Sequence, residues 1–425
     1  MKLISTIACT LMACSLLAQP KEANPAAKEI QALASQKKIK DAFAAIDRLE
    51  PRTMEELITL TEIPAPPFKE ERRAMYFKRM LEDAGVDNAW IDAEGNVVAV
   101  RNGTKSGKTI ALDAHLDTVF PEETDVTVKF SGDTLKAPGI GDDTRGLMVV
   151  LTVLRAMNEA QIKTEHDVLF IGSVGEEGLG DLRGTKFLFE KGERKIDSWI
   201  SIDGGDIDRV VNGGLGSIRY KVMIEGPGGH SWGAFGLANP QHALGKAIDY
   251  FATAATPYTA QGPRTSFNVG RIGGGTSVNS IPFEAWMEVD MRSVDPKRLK
   301  GIDSIFNQSM HAALNDYNAT VKKGEKLTMS LEMIGLRPSG VQPTDLPLLQ
   351  RTAAAIRYLG AEPSFSTSST NSNVPISLGV PAVTLGRGGI GGGAHALDEW
   401  WMNKNGAQAI KLALLVVVAE AGLSK

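Results

Sequence analysis

Cysteine is nearly absent: two occur in 425 residues, Cys9 and Cys14, both close to the N-terminus. Beyond that segment no thiol can act as nucleophile or metal ligand, and no disulfide can form. A thiol-free chain suits an oxidising compartment as well as a reducing one. Long apolar runs are missing too. Met1-Lys2 is followed by ISTIACTLMACSLLA, a stretch with a basic start that is too short to span a bilayer comfortably. It reads as a secretory signal, residues 1–18, cleaved after Ala18. Cys14 in Leu11-Met12-Ala13-Cys14 offers a second possibility, a lipoprotein-type processing box. No other segment is apolar enough to cross a membrane, so the mature chain is expected in the periplasm or outside the cell, without a transmembrane segment. Strong charge of one sign is also lacking. The formal net charge is −4 with no dense Lys/Arg stripe, which argues against a nucleic-acid partner.

What is present is a soluble globular composition, 43% apolar and 23% charged, on a chain too long for one ordinary core. Residues 25 to 62 look helical, with Pro51 near a helix start. Phe68 to Gly85 is an amphipathic helix with a Gly stop. NVVAV and TIALDAH read as strands, and RGLMVVLTVLRAMNEA from Arg145 as a buried helix. Strand and helix signals alternate as far as Asp203, the rhythm of a mostly parallel sheet covered by helices.

The pattern changes near Gly214. Ile218, Tyr220, Val222 and Ile224 alternate with polar residues. Ile281, Phe283, Met287, Val289 and Met291 do the same against Glu284, Glu288, Asp290 and Arg292. Strands with one wet face imply an antiparallel sheet. Asn239-Pro240 and Asp295-Pro296 mark two helix starts. The reading is an α/β protein in which residues 214–330 form an inserted α+β domain and residues 25–213 and 331–425 a discontinuous catalytic domain. PAVTLG is a further buried strand, and a last helix is expected from Asp398 onward.

Acidic residues and histidines collect at strand ends: His115-x-Asp117, Glu176-Glu177, Asp203 and His395, together with Asp142-Asp143. Open parallel sheets place ligands at the carboxyl ends of their strands. Gathering carboxylates and imidazoles there is costly without a counter-charge, which a pair of divalent cations would supply. Asp142 is the candidate for a carboxylate shared by two metals. Asp117, two residues from His115, can fix its tautomer. Gly175 and Gly178 let both glutamates approach, one as ligand and one as base.

ALDAHLDTV, APGIGDDTRG, GSVGEEGLGD, SIDGGD, GPGGHSWGA, RIGGGTSVNSIP with VDMRS, and GGGAHALDEW follow one another along the chain. As a set they resemble the di-zinc metallopeptidase family of peptidase T, glutamate carboxypeptidase, acetylornithine deacetylase and succinyl-diaminopimelate desuccinylase. The resemblance implies two zinc ions per chain, with cobalt or manganese as substitutes. His115, Asp142 and Asp203 would hold one; Asp142, Glu177 and His395 the other. Glu176 would be the general base and Asp117 the catalytic aspartate. The insert would be a ferredoxin-like lid and dimerisation domain, giving a homodimer in which His230 steadies the carbonyl oxygen in the partner's site. Asn279 and Arg292 match lid positions near the substrate, a small peptide or N-acyl amino acid. Two positions depart from the family pattern. Arg145 stands near the place of a usual Lys and Asn371 where many members have Asp, and both are expected where substrate preference is set.

Overall fold

The computed structural model describes residues 24–105 and 107–424. The expected signal and Cys14 lie outside them. Among the described residues no helix is long and apolar enough to cross a membrane.

A nine-stranded sheet forms the centre. Its order runs Asn88–Ile91, Val97–Arg101, Asp167–Ser173, Thr109–His115, Ser198–Ile202, Ala382–Leu385, Arg209–Gly214 and Gly340–Val341, with Ser364–Ser368 also beside Arg209–Gly214. The four central strands, from Asp167–Ser173 to Ala382–Leu385, are mutually parallel. They read as near-continuous apolar runs because both faces are covered. Alternate residues feed two cores: Ile110 and Leu112 join one, Ala111 the other. The helix Arg145–Glu159 lies within the first, buried along almost its whole length, as its all-round apolar sequence requires.

The inserted unit follows βαββαβ order. Its antiparallel sheet runs Thr265–Gly274, Glu284–Ser293, Gly216–Glu225 and Thr328–Arg337. Helices Pro240–Thr259 and Pro296–Thr320 pack on one face, and their starts are capped by the Asn239 and Asp295 side chains. This is the expected combination of a mostly parallel sheet with an α+β lid.

Local expectations fail in four places. The N-terminal helices are Pro25–Ser35 and Lys37–Thr61, so Pro51 sits inside a helix and the break is at Gln36. The amphipathic helix begins only at Glu71, because Phe68 adopts a left-handed φ of 72°. Phe283 is exposed, since the regular alternation starts at Glu284. The last helix spans Gly406–Ala421. Trp400–Met402 before it is a strand that joins Thr134–Lys136 in a small sheet, which draws the His395 loop onto the Asp142 loop.

The lid core is aromatic. Phe306 stacks on Tyr220 at 5.0 Å and meets Phe251 edge-on at 5.1 Å. Phe306→Ala is expected to cost about 3–5 kcal/mol through the cavity it leaves. Equilibrium urea unfolding checks this, and an unshifted midpoint would show that the cluster does not hold the lid.

Candidate metal centre

Four neighbouring parallel strands deliver their carboxyl ends to one cleft. Thr109–His115 ends on His115, Asp167–Ser173 leads to Glu176-Glu177, Ser198–Ile202 to Asp203, and Ala382–Leu385 to Arg387. Asp142 enters from the turn Ile140–Thr144 ahead of the buried helix, and His395 from the loop before Trp400–Met402. The cleft holds about 610 Å³ and opens between sheet and lid.

One ligand atom each from His115, Asp142 and Glu177 lies within 4.8 Å of the others. The two oxygens of Asp142 face different histidines. Oδ1 is 3.2 Å from His115 Nε2 and Oδ2 is 3.3 Å from His395 Nε2. His395 Nε2 is also 2.9 Å from Glu177 Oε1. Asp203 lines the same cleft, but its carboxylate pairs with no side chain among the described residues. His115 Nδ1 donates to the Asp117 carbonyl at 2.9 Å, which leaves Nε2 as the atom facing the site.

The Asp117 carboxylate has a second task. It accepts from the backbone N–H groups of Glu176 (3.0 Å) and Glu177 (2.7 Å), and so fixes the turn that carries both glutamates. Glu176 is buried, and its Oε1 accepts from Arg337 Nη1 at 3.1 Å.

The electrostatics are those of crowded, desolvated carboxylates. Burial pushes the Glu176 carboxyl well above its usual range; Arg337 opposes this and Glu177 adds to it. Burial and the charge of Asp142 raise Asp203. Burial raises Glu177, and Asp142 adds to it against the hydrogen bond from His395. Asp142 goes the other way. Burial raises it, but hydrogen bonds to His115 and His395 hold it below the ordinary carboxylate range. Those to Asp142 and Glu177 lift His395 to about 10. Carboxylates crowded and desolvated in this way leave negative charge that a divalent cation would neutralise. Two imidazoles and three carboxylates are a donor set suited to such an ion.

Some expected residues stand elsewhere. His230 is exposed in a short strand, Gly229–His230, where its Nδ1 accepts from the Trp232 and Gly233 N–H groups; it does not line its own chain's cleft. Asn279 lies beside it, its carbonyl accepting from Ser231 N at 2.9 Å. Arg292 does line the cleft, with Nε 2.7 Å from Asp290. Arg145 and Asn371 are corrections. Arg145 is fully buried with its guanidinium 4.8 Å from the Trp401 ring. Asn371 is buried between Asp113 and Ser173, 2.9 and 2.8 Å away. Both are packed behind the walls, out of reach of a substrate.

Sequence reasoning missed Glu399. It is buried and accepts from the N–H groups of Gly139 (2.7 Å), Gly141 (2.9 Å) and Asp142 (2.9 Å). Burial still pushes its carboxyl up to about 7. It also missed Arg337 and Arg387. Arg387 could have been found, because it follows an apolar run as Asp203 does. Arg337 carries no such signal.

Residues 111–418 match the profile of Peptidase family M20/M25/M40. The chain belongs to this family. It is therefore a hydrolase of peptide or amide bonds. The chain is 25% identical over 356 residues to the protein YqjE of Bacillus subtilis, covering 80% of this chain and 91% of that one. It is 24% identical over 249 residues to N-acetylcysteine deacetylase of the same organism, covering 55% and 63%. Among solved structures, aminopeptidase PepT from Bacillus cereus superposes with a TM-score of 0.70 at 19% identity, covering 88% of this chain and 99% of that one. That last likeness is one of fold.

Glu399→Ala would leave three buried N–H groups of the Asp142 loop unpaired. The expected result is a loss of about 2–5 kcal/mol in stability and of about 10–100-fold in metal affinity. Denaturant unfolding and competition with a chelating dye measure the two. Unchanged affinity would show that the loop holds its shape without Glu399.

Proposed function

We propose that this chain is an exported zinc exopeptidase acting on di- and tripeptides. The observation that carries the reading is the division of Asp142 between two histidines, one oxygen to each, as expected of a carboxylate shared by two cations. His115 and Asp203 would complete one ligand set, Glu177 and His395 the other. Bound zinc supplies a Lewis acid and lowers the pKa of water from about 16 towards about 7.

The protein's own residues do the rest. Asp117 holds His115 through its carbonyl and the glutamate turn through its carboxylate. Glu176, buried beside the ligands, takes the proton of the attacking water and returns it to the leaving amine. Arg337 keeps the Glu176 carboxylate pointed and its charge balanced. Arg292 on the lid would bind the substrate. His230 and Asn279, away from their own cleft, would serve the cleft of a second copy in a homodimer, where the His230 imidazole would steady the carbonyl oxygen as charge develops there. A second reading, deacylation of N-acyl amino acids, is favoured by the similarity to N-acetylcysteine deacetylase. Both readings use one hydrolytic step.

Glu176→Gln is expected to lower kcat by at least about 10²–10⁴-fold while elemental analysis still finds the metal of the wild-type protein. Near-normal turnover of a dipeptide library by this variant would remove Glu176 from the role of base.

A further inference from the structure

The cleft is rich in arginine. Arg209, Arg219, Arg292, Arg337 and Arg387 line it, facing the carboxylates of Asp142, Glu176, Glu177 and Asp203. Three of the five are engaged. Arg337 holds Glu176, and Arg219 and Arg292 share the single carboxylate of Asp290 at 2.9 and 2.7 Å. Arg209 and Arg387 are different. Neither has a carboxylate within ion-pair distance or a hydrogen bond from its guanidinium among the described residues, and the buried Nε atom of each is unpartnered. Arg387 is only 8% exposed.

The two guanidiniums come together over Gly204, the residue after Asp203. A Cβ at Gly204 would meet Arg209 Nη1 at 3.0 Å and Arg387 Nη1 at 3.3 Å. With no side chain there, and with φ at +56°, the backbone leaves the space between the two cations free. Like charges brought this close, one of them buried, are costly unless an anion joins them. An Nη atom from each of two guanidiniums at one gap suits a carboxylate. Asp203 is the carboxylate that feels both arginines, and a cation held on it would offset its charge and sharpen that need.

We propose that Arg209 and Arg387 form a subsite for a second carboxylate of the substrate, so that the preferred amide contains an acidic residue, glutamate or aspartate, and carries two negative charges. The subsite rests on the amide-hydrolase reading for its substrate, but the pair itself is a feature of the fold. Arg292 lines the same cleft, so the other charge of a small dianion would fall to it or to the metal site.

The test uses metal-loaded protein and ligands that differ by one charge. Alanyl-glutamate is compared with alanyl-glutamine, and N-acetylglutamate with N-acetylglutamine. The acidic member is expected to have at least tenfold higher kcat/KM, mostly through KM, and Arg209→Gln to erase that preference. Equal rates on both members, or a preference that survives Arg209→Gln, would overturn the proposal. Calorimetric binding of glutarate against glutaramate decides the subsite without hydrolysis. At least tenfold tighter glutarate binding, lost in Arg209→Gln, supports it even if no amide is cleaved, in which case the hydrolase reading alone fails. Equal binding overturns it. Inorganic phosphate that binds through Arg209 while glutarate shows no advantage would assign the pair to a free anion and likewise overturn it.

Discussion

Everything at the active end of this protein depends on forcing like charges together. Four strands of a parallel sheet must lie side by side for their apolar residues to be covered on both faces, and that adjacency brings their carboxyl ends within a few ångströms. Residues placed there are crowded whatever their charge. Here they are mostly carboxylates, held by a turn, a loop and two histidines against a repulsion that burial makes worse. The fold supplies the stability that the site spends.

The supports are built from backbone donors more than from opposite charges. Asp117 grips two N–H groups and Glu399 three, and each thereby fixes a segment bearing metal-ligand candidates. Acceptors of this kind add rigidity without bringing in a cation that would compete for the ligands. Among the arginines lining the cleft, only Arg337 bonds a carboxylate of the candidate site.

Much of this could be read from the chain. Buried parallel strands announce themselves as unbroken apolar runs, and the rule that ligands sit at their ends points to His115, Glu177 and Asp203. The alternation of Ile218 to Ile224 and the two Asx-Pro starts likewise fixed the lid. What stayed hidden depends on contacts between distant segments. Glu399 binds a loop some 260 residues away, and nothing local separates it from surface acid. Arg337 ends an ordinary half-exposed strand. Arg145 and Asn371 were misplaced for the opposite reason: sequence neighbours of a site can point into the protein behind it. Pro51 shows the limit of local rules, since a helix packed along its whole length tolerates a residue that would break it in isolation.

The lid strand Gly216–Glu225 pairs through Ser217 with both Arg292 and Arg337, at the end where the chain crosses between the two units. Glu225, next to the Gly229–His230 segment, lies at the opposite end. At about 3.3 Å per residue the sheet is a lever roughly 30 Å long, with its arginines near the fulcrum and its imidazole near the far tip. A swing of about 10° would carry the tip about 5 Å on that arm and barely move the guanidiniums. Any rotation about that end would leave the arginines almost where they are, while the contacts made by the tip would change with it.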